Sequence, residues 1–156
     1  MNNRRSFIVG IKSTKLSSKE KNFIKRYRPW GIILFTRNIK NIQQTQKLTS
    51  EIRKIFNDKK YPILIDQEGG RVNRLKNLIS FDNLTSEFFG KKFIKNYLEF
   101  TTYYNLFIDK TSYLLRLIGV NINTCPVLDL KIKGSSNIIG DRSFSRNPKI
   151  VSKIGD

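Results

Sequence analysis

Four of the twelve acidic residues stand where apolar runs give way to polar loops: Asp66, Glu68, Asp129 and Asp141. The densest group is Asp66-Gln67-Glu68-Gly69-Gly70-Arg71-Val72-Asn73-Arg74. Another is Gly140-Asp141-Arg142-Ser143-Phe144, and a smaller one is Thr36-Arg37-Asn38. A carboxylate accepts from hydroxyls and a guanidinium donates in a fixed fork. Together they suit a neutral, hydroxyl-rich ligand. The same acids also have a structural reading, as helix caps or partners of the neighbouring arginines. Gly69-Gly70 lets the backbone turn sharply and pass close to a ligand. Neither G-x-x-x-x-G-K-[ST] nor G-x-G-x-x-G occurs, so this is not a common phosphate loop.

What is missing narrows the chemistry further. The 156 residues include no histidine, which removes His–metal sites, Ser-His-Asp and Cys-His nucleophile systems, and any imidazole acid or base. The single cysteine, Cys125, allows no internal disulfide and no cysteine zinc site. Beside Pro126 and apolar neighbours it reads as a buried small hydrophobe. No metal and no organic cofactor is expected. The basic N-terminus is followed by an apolar run too short for a secretory signal, broken at Gly10 and ended by Lys12. No stretch approaches the ~20 apolar residues of a membrane span. A cytoplasmic protein is expected.

Thirty Lys and Arg against twelve Asp and Glu leave a net charge of +18. That footprint fits a nucleic-acid binder, and a basic α/β nucleic-acid-binding module is the rival reading. The cations are scattered rather than clustered, however, and alanine is absent while Lys, Asn, Ile and Phe abound. Drift toward A/T-rich codons produces the same excess, and this reading is preferred.

The elements that must position these groups alternate. Apolar runs at 6–11, 31–36, 62–66 and 121–128 read as strands, the last within a longer run from Val120 to Leu130. Ser17-Ser18-Lys19-Glu20 has the form of a capping box and opens a helix to about Arg26. Asn41 caps a second helix, with Leu48, Ile52, Ile55 and Phe56 on one face. Residues 75–96 have weak periodicity and read as loop with short helical turns. Phe100, Tyr104, Phe107, Thr111, Leu114 and Ile118 then mark a long helix that Gly119 ends. A polar loop runs from Gly134 to Ser145. Asn147-Pro148 begins a last helix. Such alternation predicts βαβ units on a parallel sheet, with functional loops at the C-terminal strand ends.

Four words occur in order: Gly31-Ile32-Ile33-Leu34-Phe35-Thr36-Arg37-Asn38, Asp66 to Leu75, Pro126-Val127-Leu128-Asp129-Leu130, and Ile139-Gly140-Asp141-Arg142-Ser143-Phe144. Together they resemble the N-terminal half of glycoside hydrolase family 3, in particular its single-domain bacterial β-N-acetylglucosaminidases. The resemblance implies an α/β fold, a partial (β/α)₈ TIM-type barrel of about its first half. Residues 1–156 would form a truncated N-terminal catalytic domain. It implies removal of terminal β-linked N-acetylglucosamine with retention, on saccharides or muropeptides of peptidoglycan recycling. By the same resemblance Asp66 binds sugar hydroxyls, Arg74 supports Asp66, and Arg142 is directed at the same hydroxyls.

The departures bear on catalysis. The family's Lys-His-x-Pro-Gly-His segment, which carries the acid/base histidine, comes later in order than this chain reaches. The nucleophilic aspartate lies later still, and none of Asp66, Asp129 or Asp141 matches it. No catalytic residue is therefore assigned, and the 156 residues alone are expected to be inactive. A partial gene model, a frameshifted pseudogene and a shortened sugar-binding protein remain as alternatives. Half a barrel would leave two open sheet edges, so self-association is expected.

Overall fold

Uncharged runs of branched aliphatic residues pair most readily with one another, and here they build one sheet. A computed structural model describes residues 4–132, 134 and 137–156. Strands β1 (Arg5–Gly10), β2 (Pro29–Leu34), β3 (Ile63–Ile65) and β4 (Ile122–Asn123) lie in the order β1-β2-β3-β4. Every neighbouring pair is parallel. Sequence order without reversal is the order of a barrel wall, whereas a doubly wound sheet reverses at a switch point. The α/β, half-barrel expectation holds. Helices α1 (Ser18–Tyr27), α2 (Ile42–Phe56), α3 (Ser86–Lys95) and α4 (Tyr97–Leu117) fill the crossovers, and α5 (Pro148–Gly155) follows β4. Among the described residues no helix is long and apolar enough to cross a membrane.

Register divides the sheet into two faces. Val9, Ile32 and Ile63 align, as do Leu34 and Ile65. These residues pack against Ile24, Leu48, Ile52, Phe56 and Ile118 from the helices. The opposite face aligns Gly10, Ile33, Leu64 and Ile122, the wall that faces inward in a barrel. Ile8 shares this face and is 45% exposed.

Local chemistry explains the helix boundaries. Ser17 accepts from the Glu20 backbone N–H while Glu20 accepts from the Ser17 backbone N–H at 2.8 Å, the expected capping box. Asn41 accepts from Gln44 N at 2.8 Å and opens α2. Asn147 accepts from Lys149 N at 3.0 Å, with Pro148 in the first turn of α5. Gly119 adopts φ +79°, ending α4 where expected.

Three expectations need correction. Residues 86–95 form a regular helix, α3, within the stretch read as loop. Thr85 caps it by accepting from Phe88 N at 3.0 Å. Gly90 lies in mid-helix and weakens the apolar periodicity, because a Cβ there would sit 1.8 Å from the Phe144 carbonyl oxygen. Helix and loop meet backbone to backbone at that point. The fourth strand covers two residues rather than 121–128. The Thr124 N–H still reaches Ile65 O at 2.9 Å, but Pro126 has no N–H to continue the ladder. The second strand begins two residues early, at Pro29, and ends at Leu34. Thr36–Asn38 is a 3₁₀ turn instead. Asn38 draws the chain aside there, accepting from Phe35 N at 2.8 Å and donating to Ile11 O at 3.1 Å. Of the expected 134–145 loop, residues 135 and 136 lie outside the described residues.

Candidate functional site

Asp66 is the first residue past β3 and Thr124 the first past β4, so the parallel pairing sets them side by side. The Thr124 hydroxyl donates to Asp66 Oδ1 at 2.7 Å. On the other carboxylate oxygen, Arg74 Nη2 lies 3.5 Å from Asp66 Oδ2, with both side chains a little over a quarter exposed. The Arg74 guanidinium also stands over the Phe35 ring, 5.3 Å from its centre, and Arg37 stands over the same ring at 4.5 Å. Phe35 is the first residue past β2. A Cβ on Gly10 would come within 3.2 Å of both Arg37 Nη2 and Phe35. Glycine at the end of β1 therefore lets this layer close over the strand ends.

Two residues beyond Asp66 a second ion pair forms. Arg142 donates Nε to Glu68 Oε2 at 2.8 Å and Nη2 to Glu68 Oε1 at 2.7 Å, a two-pronged bond. The Glu68 side chain is 6% exposed. The hydrogen bond to Glu68 raises the Arg142 pKa against the effect of burial, and the nearby Asp129 carboxylate adds to the rise. Both pairs act on Cys125. Burial first, then Glu68 and Asp66, push its thiol up to about 12, while Arg142 and Arg74 oppose them. All four charged groups therefore act on one point. Cys125 is half-buried and borders a cavity rather than being sealed in the core.

The Asp66–Arg74 loop is held by its glycines and polar side chains. Gly69 and Gly70 adopt φ +87° and +55°. A Cβ on Gly69 would lie 2.3 Å from Leu84 O, so a larger residue cannot occupy that turn without displacing backbone. Gln67 is clamped by Asn123, which accepts from its N–H at 2.9 Å and donates to its carbonyl at 3.3 Å. Arg71 ties this loop to the last one. Its Nη2 donates to the carbonyls of Asn137, Ile138 and Ile139 at 2.6–2.9 Å, and its Nε lies 3.0 Å from Asp141.

The three residues singled out from sequence thus gather at the C-terminal strand ends. Asp66 and Arg74 meet directly, while Arg142 pairs with Glu68, two residues further along the same loop. Asp141 serves the loop as the partner of Arg71. Thr124 and Phe35 were not foreseen. Phe35 was hidden in an apolar run read as strand, and no local signal marks Thr124, whose role comes from strand pairing. Glu68 was visible as a strand-end acid, but its partner is 74 residues away.

Comparison with known proteins agrees with the fold. Residues 6–156 match the glycosyl hydrolase family 3 N terminal domain. A beta-hexosaminidase of Hydrogenovibrio crunogenus is 36% identical over 148 residues, which cover 95% of this chain and 41% of that protein. One from Thioalkalivibrio sulfidiphilus is 32% identical, with 94% and 42% covered. The chain spans about two-fifths of the length of these curated relatives. Among solved structures, native NagZ from Neisseria gonorrhoeae superposes with a TM-score of 0.84 at 30% identity, covering 97% of this chain and 43% of that one. The same protein in complex with N-trifluoroacetyl-D-glucosamine gives 0.75 at 29% identity, covering 97% and 44%.

Proposed function

The chain belongs to glycosyl hydrolase family 3, and on that footing we propose that it carries part of the sugar-binding site of a β-N-acetylhexosaminidase. Residues 1–156 are read as the first half of the barrel domain. The supporting observation is the Asp66 carboxylate at the C-terminal strand ends, held by Thr124 on one oxygen and Arg74 on the other. A carboxylate oxygen has more than one lone-pair direction, so Asp66 retains acceptor capacity for the hydroxyls of a terminal sugar. Arg74, braced against Phe35, fixes the plane of Asp66. Arg142, oriented by Glu68, supplies donors to the same sugar.

Retaining hydrolysis needs a nucleophile at the anomeric carbon and a group that protonates the leaving oxygen. Asp66 is assigned to hydroxyl binding, and the chain has no histidine for the family's acid/base role. We therefore read these 156 residues as binding N-acetylglucosamine without cleaving its glycosides. The wider setting expected from the sequence, cytoplasmic turnover of muropeptides with retention of configuration, belongs to the same proposal. So does self-association through β1 and β4, the outer edges of the described sheet.

Titration of the isotope-labelled chain with N-acetylglucosamine tests the binding half. Amide shifts at residues 66–74 and 124 are expected, with binding weakened at least about tenfold in Asp66→Asn, the equivalent of one charge-assisted hydrogen bond. Shifts that persist in the variant would overturn the assignment. A chromogenic N-acetyl-β-glucosaminide tests the other half. Turnover by the purified chain that vanishes in Asp66→Asn would place a catalytic carboxylate here after all.

A further inference from the structure

The cations are scattered along the chain, but the fold gathers six of them at the end of the sheet opposite Asp66. Parallel strands all start on one side, so the entry to β1, the end of α1 and the stretch from α2 to β3 are neighbours there. They carry Arg5, Arg26, Arg28, Lys54, Lys59 and Lys60, all exposed except the half-buried Arg28. Direct contacts join these segments. Arg5 N donates to Arg28 O at 2.9 Å. Arg5 and Arg26 both stand over the Tyr27 ring, 5.4 and 5.3 Å from its centre. Arg28 stands over Phe56 at 5.7 Å, and Phe56 stacks on Tyr61 at 3.8 Å, just before β3. Residues 4–5, 25–30 and 53–62 hold one acid, Asp58, which is bonded to Arg4 and to the Lys60 backbone N–H. Among the described residues none of the six cations has a carboxylate partner.

Cations favour helix C-termini, which accounts for Arg26 and Lys54 in the last turns of α1 and α2. It does not account for Arg5, Lys59 or Lys60. Nor does the backbone require Arg28, which closes α1 at φ +48°, where glycine or asparagine is usual. Aromatic rings lead away from the cluster. Phe23, 42% exposed, lies 4.8 Å from Tyr27 one turn back along α1, and Trp30, equally exposed, follows Arg28 by two residues. We propose that this end of the sheet binds single-stranded nucleic acid, with phosphates on the arginines and lysines and bases stacked on the exposed rings. A basic strip flanked by rings suits an unpaired strand, since every base has a face to stack. Guanidiniums braced over rings present forks that match phosphate oxygens. A duplex would leave the rings unused. An anionic membrane is the poorer partner, because α1 turns Ile24 into the core and keeps no continuous apolar face to insert.

The test uses the full chain and a fluorescein-labelled oligothymidylate of about 20 nucleotides, read by anisotropy. Saturable binding is expected at about 50 mM NaCl, falling about 20–50-fold at about 200 mM, as for three or four phosphate contacts on a single strand. Arg26→Gln with Arg28→Gly should weaken binding at least about tenfold and lower the salt slope by about 1.4, and glycine suits the backbone at residue 28. Lys110→Gln with Lys149→Gln, exposed on α4 and α5, removes the same charge elsewhere and should weaken binding less than about twofold. Phe23→Leu should weaken the oligonucleotide about fivefold, the worth of one stacked base, and leave inorganic polyphosphate unchanged. Absence of saturable binding, equal losses in the two double variants, or displacement of the oligonucleotide by equimolar phosphate as polyphosphate or phosphatidylserine vesicles would each overturn the proposal. If a variant fails to fold by circular dichroism, competition among the probes on the unaltered chain decides. Saturating N-acetylglucosamine should leave the oligonucleotide bound, because Asp66 lies at the other strand ends, and displacement by the sugar would also overturn the proposal.

Discussion

The molecule has two hydrophobic cores that are built differently. Under β1–β3 the core is mainly aliphatic, with one stacked aromatic pair, Phe56–Tyr61: Ile32, Leu34, Ile52, Ile63 and Ile65 are sealed from solvent, with Ile24 and Leu48 nearly so. Beneath the end of β4 it is aromatic, gathering Phe89, Phe100 and Phe144 with Tyr104 and Phe107. Branched aliphatics on a regular ladder interdigitate with helix side chains and fill space at crystal-like density. Flat rings meet at set angles, here from stacked to perpendicular, and carried on α3, α4 and a loop rather than on a strand ladder they leave a chamber between them. The tight half sets the frame, and the looser half carries the loops that bring Arg142 and Glu68 together.

The largest expected effect tests that contrast. Ile32→Ala should cost about 2–5 kcal/mol, the usual loss for a buried large-to-small change. Phe107→Leu, at the wall of the chamber, should cost less than about 1.5 kcal/mol. Urea midpoints of the two variants check the pair, and equal losses would dissolve the distinction between the cores. Next, Arg142→Ala leaves Glu68 buried without its partner and should cost about 1–3 kcal/mol. Arg142→Lys keeps the charge but loses the fork, and should recover less than half of that loss. Full recovery by lysine would show that geometry contributes little at the strand ends.

Smaller effects separate the two halves by their electrostatics. Removing the cap by Ser17→Ala should lower stability by about 1 kcal/mol. Burial works to raise the Glu20 pKa, but hydrogen bonds from the Ser17 side chain and the Lys12 and Ser17 backbones outweigh it and hold it below the usual value. A carboxylate held low contributes stability above its unfolded pKa, and the contribution is lost as pH falls through the folded value. Ser17→Ala should therefore flatten the acid limb of a stability–pH curve. Burial also works to raise Glu87, and there the cations Lys131 and Lys91 bring it down. Attraction between partly exposed charges is screened by salt. The effect of Glu87→Gln on the acid limb should shrink at 1 M NaCl, while that of Ser17→Ala should persist. Equal salt dependence would remove this difference between the halves.

Much of the tight half was legible. Capping boxes, Asn caps and a positive-φ glycine act over three or four residues, so Ser17, Asn41 and Gly119 announce helix ends locally, as Asn147 does in the other half. The loose half was harder to read for a physical reason. Gly90 breaks the stripe of α3 because the Phe144 backbone must pass it, and that requirement is invisible from residues 86–95. Pro126 ends β4 early through a missing donor, a signal that was present and outweighed by the apolar run around it.

The sequence by itself determined the alternation of strand and helix, the parallel sheet and the placing of Asp66, Arg74 and Arg142 in loops at strand ends. Each of these rests on local periodicity, capping and turn chemistry. Tertiary structure alone decided that Thr124 holds Asp66, that Phe35 braces Arg74, that Glu68 holds Arg142, and that Gln67 and Thr111 border one chamber. Those pairings join residues 39 to 74 positions apart. They depend on register and helix packing, which no short stretch of the chain encodes.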